Sequence, residues 1–232
     1  MDRLDELLMA PFYFREPGQP SEVIGGGKPA HLLDDDLIHG ISRFGGPWRH
    51  PSYAHAYGLA AKSLLAEAKR NKILDELGLP IFYMQRHAME LLIKQLVSWM
   101  FEIAEYRAEA KGVACDVPTS GQKKASRESH NLARLLGVFE ELAIYLGFPP
   151  PPQAFAHFVQ LAGSFERSDT WARYGVSNAR TGRVRHVDKE ILLPVVQFQE
   201  LLETALQSIT GIGPDDPSYE YELYNEWSTY QV

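Results

Sequence analysis

The sequence predicts an all-α fold, a helical bundle preceded by an irregular N-terminal segment. Three observations carry this. From Ile81 to about Lys111 no proline or glycine interrupts the chain, which permits one helix of about 45 Å at 1.5 Å per residue. Apolar residues recur at helical spacing in several further stretches. No run of alternating apolar and polar residues is long enough to specify a half-buried strand, and no internal repeat is present.

The elements follow in order. Residues 1–51 form the irregular segment, because Pro17, Pro20, Gly25, Gly26, Gly27, Pro29, Gly45, Gly46 and Pro47 are denser than helices or central strands tolerate. Tyr53, Tyr57, Ala60, Ala61, Leu64, Leu65 and Ala68 then mark a helix whose pattern runs to Gly78. Pro80 stands where a helix commonly begins, ahead of the long helix from Ile81. Gly112 to Ser126 reads as a loop. Ser129 or Asn131 caps the next helix, whose apolar positions from Leu132 to Ile144 end at Gly147. Pro149 to Pro152 make a stiff corner. A shorter helix spans Gln153 to Phe165, a loop covers Ser168 to His186, and the last strong helix spans Lys189 to Ile209. The bundle thus occupies residues 52–212, and residues 213–232 form an acidic, aromatic tail.

Composition narrows the class without naming an activity. A chain of 232 residues can bury roughly 70% of its unfolded surface and needs no disulfide or metal staple. Cys115 is the sole cysteine, which excludes an internal disulfide and fits a reducing, cytoplasmic setting. The start of the chain lacks the basic residues and unbroken apolar run of a secretory signal. No stretch approaches ~18 uncharged apolar residues, so no membrane span is expected. The net charge of -7 argues against wholesale coating of nucleic acid and leaves room for a local basic patch. Arg167, Arg173, Arg180, Arg183 and Arg185 stand against only Glu166 and Asp169 between residues 166 and 185.

One polar stripe marks the long helix. With Tyr83 at zero and 100° per residue, Arg86 falls near about -60°, His87 near about +40°, Glu90 near about -20° and Lys94 near about +20°. Two readings stand side by side. In one the stripe is a solvated face with a Glu90–Lys94 pair one turn apart. In the other it is an internal seam whose Arg, His and Glu hydrogen-bond to other helices.

The run Phe82-Tyr83-Met84-Gln85-Arg86-His87-Ala88-Met89-Glu90-Leu91-Leu92-Ile93-Lys94 resembles the Tyr-x-x-Arg-His-x-x-Glu-Leu-x-x-Lys helix of a large group of bacterial HEPN-like proteins. Ser129-His130-Asn131-Leu132 is similar to that group's His-x-Leu helix start. Asp169 with Trp171-Ala172-Arg173-Tyr174 is similar to its Asp, then Phe-Arg-Tyr, signature. The three occur in the family's order over about Ser52 to Ile209. The resemblance implies a HEPN-like helical bundle and an RNA-directed role in a bacterial toxin or phage-defence system, as a metal-independent endoribonuclease where the protein is catalytic. The partners it implies are RNA, an antitoxin or other defence-system protein, and a second copy of the chain as a homodimer. The alternative function is a non-catalytic helical interaction module. The family's Arg-then-His spacing also occurs at Arg43 to His50, Arg49 to His55 and Arg180 to His186, in stretches of loop composition.

Metal-independent RNA cleavage needs a base for the 2'-hydroxyl proton, an acid for the leaving oxygen and a cation for phosphate charge. The candidates are Arg86, His87, Glu90, His130 and Arg173, with His87 or His130 moving protons, Glu90 orienting an imidazole, and Arg86 or Arg173 holding phosphate. Each has a structural counterpart, since buried arginines and carboxylates must be paired to be tolerated. Arg180, Arg183 and Arg185 are the candidate RNA-binding residues. No metal site is expected: His87 and Glu90 share a face, but a di-iron bundle needs two Glu-x-x-His motifs and further glutamates. Gly25-Gly26-Gly27-Lys28 lacks the spacing of a phosphate loop, and no cofactor is expected. The acidic tail, with Tyr219, Tyr221, Tyr224, Trp227 and Tyr230 interleaved, is either a packed or solvated extension or an imitation of a nucleic-acid strand lying over a basic groove.

Overall fold

The computed structural model describes residues 30–42, 52–115, 120–166, 176–179, 182–185, 189–210 and 219–230. The chain divides into two compact units, Met1–Ser52 and Tyr53–Val232. In the first, helix α1 spans Ala30–His39, inside the segment expected to be irregular. It ends at Gly40, where the Ile41 amide donates back to the Asp36 carbonyl. Residues 1–29 and 43–51 of the expected irregular segment lie outside the described residues.

The second unit holds α2 (Tyr53–Asn71), α3 (Leu74–Ala110), α4 (Ser120–Glu128), α5 (Leu132–Leu146), α6 (Gln153–Phe165), strands β1 (Val176–Ala179) and β2 (Gly182–Arg185), α7 (Val195–Thr210) and α8 (Tyr219–Thr229). It is the all-α bundle expected, with one short antiparallel hairpin. Helix α3 is its axis: α2, α4, α5, α7 and α8 all pack on it, and α6 joins through α5 and α7.

The boundary between α2 and α3 differs from the sequence reading. The periodic pattern runs on to Gly78, but α2 stops at Asn71, and Lys72 adopts a left-handed backbone with φ 59°. The Ile73 amide then donates to the Ala68 carbonyl, closing the last turn as a glycine would. The long helix therefore begins at Leu74, and Pro80 lies inside it. Proline there removes one helical hydrogen bond and is costly in an isolated helix. Burial opposes that cost, because Ile81 and Phe82, the next two residues, are fully enclosed.

Helix α5 is bounded as its sequence foretells. The Asn131 side chain accepts the Arg134 amide at 2.9 Å. At the other end Gly147 takes φ 75°, which glycine alone adopts without strain, and the Phe148 amide returns to the Ala143 carbonyl at 2.8 Å. Helix α6 spans the expected residues and follows directly from Pro152. Aromatic rings fill the core: Phe198 of α7 meets Phe82 at 4.8 Å and Phe158 at 5.2 Å between ring centres, and Phe139 meets Phe155 at 5.8 Å.

Three other expectations are corrected. Residues 120–126, read as loop, belong to α4; polar contacts hold it, with Lys123 paired to Glu105 of α3, and such contacts leave no apolar period to read. The stretch 168–186 contains the hairpin, with Val176 opposite Arg185 and Ala179 opposite Gly182; four-residue strands are too short to show alternation. The last strong helix starts at Val195 rather than Lys189, because Pro194 disfavours helical backbone in the residue before it.

Residues 219–229 of the expected tail are also helical and packed. Tyr219 and Leu223 of α8 are buried, and the Tyr219 hydroxyl donates to the Pro149 carbonyl at 2.8 Å. Burial pushes that phenol well above its ordinary pKa of 10, so it remains a donor. Glu226 accepts two hydrogen bonds from Arg107, Trp227 donates to Glu102, and Tyr230 stacks on Tyr106. The helix is thus an integral wall of the bundle. Leu223→Ala should lower unfolding stability by about 2–4 kcal/mol, because a fully buried side chain is replaced by a cavity. Urea unfolding followed by circular dichroism measures this, and a change under about 0.5 kcal/mol would mean α8 carries no packing role.

Candidate functional site

Three consecutive residues of α3, stepping 100° apart, reach three different neighbours. Gln85 is buried and donates to the Val195 carbonyl at 2.8 Å and to Gln199 at 3.1 Å, both on α7's first turns. Arg86 turns toward the start of α5 and the end of α6. His87 turns to α2, with its ring edge-on to Tyr57 at 4.6 Å and stacked with Tyr83 at 5.8 Å. The helix is enclosed over most of its circumference, and the polar stripe is an internal seam at Arg86 and Glu90.

Arg86 and Glu90 are 4% and 2% exposed. Arg86 Nη1 donates to Glu90 Oε2 at 2.8 Å, one helical turn away. Its Nε donates to Glu166, the residue that closes α6, and its Nη2 donates to the His130 carbonyl just before α5. All three guanidinium nitrogens are engaged. Burial weighs against the Arg86 charge, but Glu166 and then Glu90 outweigh it, and the pKa is raised above its ordinary value.

Glu90 is the second node. Its Oε1 accepts from Lys94 Nζ at 2.8 Å and lies 2.9 Å from His130 Nδ1. One carboxylate therefore meets Arg86 on one oxygen and Lys94 with His130 on the other. Burial is the largest single influence on its pKa and acts upward. The hydrogen bonds from Lys94, His130 and Arg86, with the Lys94 charge, outweigh it and hold the pKa below its ordinary value of 4.5. The His130 side chain is 46% exposed, so its ring spans the step from the buried carboxylate to solvent.

The structure thus brings together Arg86, Glu90 and His130 of the residues singled out from sequence. His87 contributes ring contacts between α2 and α3 instead. Arg173 and Arg180 lie outside the described residues, and Arg183 and Arg185 stand two positions apart in β2. Two members are absent from the candidate site residues: Lys94, which the sequence pairs with Glu90 in the stripe, and Glu166, which enters only the charge balance of residues 166–185. No spacing connects Glu166 to an arginine 80 positions away. The available signal was the demand of a buried guanidinium for more than one carboxylate. Among the described residues no three of His, Cys, Asp and Glu cluster as metal ligands, and no helix is long and apolar enough to cross a membrane.

With this geometry in view, comparison with known proteins adds no relative: no family model, curated protein or solved structure matches the chain.

The network's pH dependence has a definite sign. A carboxyl whose folded pKa is depressed stabilises the fold above its unfolded pKa, and that contribution is lost as pH falls through the folded value. Glu90 should therefore contribute fully above about pH 4.5 and progressively less below it. Urea midpoints measured from pH 7 downward should fall on the acid side for the wild-type protein and fall less steeply for Glu90→Gln. Parallel acid limbs in the two proteins would show that the Glu90 charge adds nothing.

Proposed function

We propose that this chain is an RNA-directed protein of the HEPN-like type, working in a cytoplasmic bacterial toxin or phage-defence setting, with His130 as its proton-transfer group. The observation that supports this reading is the His130–Glu90 pair: Nδ1 sits 2.9 Å from a buried carboxylate oxygen while the ring remains half exposed. A carboxylate on Nδ1 favours the tautomer with its proton there, leaving Nε2 as a base. An imidazole held in this way suits removal of a 2'-hydroxyl proton and return of a proton to the leaving oxygen without a metal. The ordered signatures around Arg86, His130 and Asp169 supply the RNA-directed part of the reading, together with its antitoxin or defence-protein partner and homodimer. In this reading Arg86 is a positioning residue, since its nitrogens are already taken and one of them grips the His130 carbonyl.

A second reading has its own support. Full pairing of Arg86, Glu90 and Glu166 in a nearly dry seam is what a non-catalytic interaction module would use to fix helix register. Incubation of the purified protein with total RNA and tRNA separates the two. The proposal expects cleavage that withstands chelator and falls about 10²–10⁴-fold in His130→Ala, with the helical circular dichroism unchanged. RNA left intact by the wild-type protein favours the module.

A further inference from the structure

The buried network is unequal from one end to the other. The side chains of Glu90 and Arg86 are 2% and 5% exposed and that of Glu166 13%, whereas Lys94 is 20% and His130 46% exposed. The carboxylates sit at the inner end, and the groups that reach outward are basic. Lys94 Nζ and His130 Nδ1 approach the same oxygen, Glu90 Oε1, at 2.8 and 2.9 Å, so the two nitrogens are within about 6 Å of each other.

We infer that Lys94, rather than Arg86, is the residue that contacts a phosphodiester at this site, beside the His130 imidazole. The inference rests on the RNA-directed reading and names the phosphate contact within it. Arg86 is excluded by geometry: its nitrogens bond Glu166, Glu90 and the His130 carbonyl, and its side chain is nearly inaccessible. Lys94 differs on both counts. An ammonium has three donors, of which Glu90 takes one, and its side chain is partly exposed. Glu166 balances Arg86 and Glu90 balances Lys94, so what Lys94 has to offer a phosphate is its remaining donors on a partly exposed ammonium. Glu90 thereby holds a cation and an imidazole next to each other, the pairing that phosphate binding beside a proton-transfer group requires. An ordinary i, i+4 surface pair would have an exposed glutamate and no third or fourth partner.

The test uses the full chain with two probes: a 2'-O-methylated oligoribonucleotide, which resists cleavage, and inorganic phosphate. Binding of the oligonucleotide should weaken about tenfold in Lys94→Gln, with the salt slope reduced by about 0.7, as for loss of one contact to a single strand. Lys94→Arg, which keeps the charge, should restore both. Phosphate should shift the His130 imidazole resonance, assigned through His130→Gln, in the wild-type protein and not in Lys94→Gln. Glutamine retains an amide donor for Glu90, and thermal melts confirm that each variant folds. If the wild-type protein binds the oligonucleotide and Lys94→Gln matches its affinity and slope, the Lys94 contact is wrong and the RNA reading stands. A Lys94-dependent response to phosphate without oligonucleotide binding upholds the anion contact and overturns the RNA reading. Silence toward both probes overturns both, and failure of a folded Lys94→Arg to restore binding overturns the role of the charge.

Discussion

The Tyr53–Val232 unit is organised around the desolvation of two charges one turn apart in its central helix. Moving a guanidinium and a carboxylate out of water costs several kcal/mol each, and their mutual attraction repays this only when every remaining donor and acceptor is satisfied. Arg86 and Glu90 cannot satisfy each other fully. The carbonyl before α5, the carboxylate closing α6 and the ammonium of Lys94 complete the set. Elements far apart in sequence must therefore meet at one depth along α3, and a slip of either would strand a charge.

That constraint explains why His130 is placed so definitely at a helix entry, where chains are ordinarily more variable. Its backbone is held by Arg86, its ring by Glu90, and the helix behind it is started by the Asn131 cap. A network of this kind is weak as a source of raw stability, since apolar residues of the same shape often serve as well. What the arrangement delivers is an imidazole at the surface with a carboxylate behind it. On the far side of α3, Gln85 does a related task with neutral groups, tying the helix to the beginning of α7.

The helices built on an apolar period were legible because burial and period are the same signal: α5 reads directly from its leucines, Asn131 cap and Gly147, and α6 from its apolar residues after the Pro149–Pro152 corner. Pro80 misled because local propensity opposed the burial of Ile81 and Phe82, and burial prevailed. Lys72 misled for the opposite reason, ending a helix in a left-handed turn that sequence ordinarily assigns to glycine. α4 and the hairpin gave no period at all. At the site, the wheel placed Arg86, Glu90 and Lys94 on one line, but could not say whether that line faced water. Only the folded chain shows Glu166 and the His130 carbonyl arriving there. In the tail, the tyrosines and acids left a packed and a solvated extension equally open, and Arg107, Glu102 and Gln95 are the partners that pack it.

Arg86 and Glu166 form one buried unit joining α3 to α6. A double-mutant cycle with Arg86→Met, Glu166→Gln and the combined variant, followed by urea unfolding at neutral pH, measures it most directly. The expected coupling is about 1.5–3 kcal/mol, with the double variant recovering part of what each single change loses. Additivity within about 0.3 kcal/mol would show that the two residues do not depend on each other, and that the seam does not set the register of the bundle.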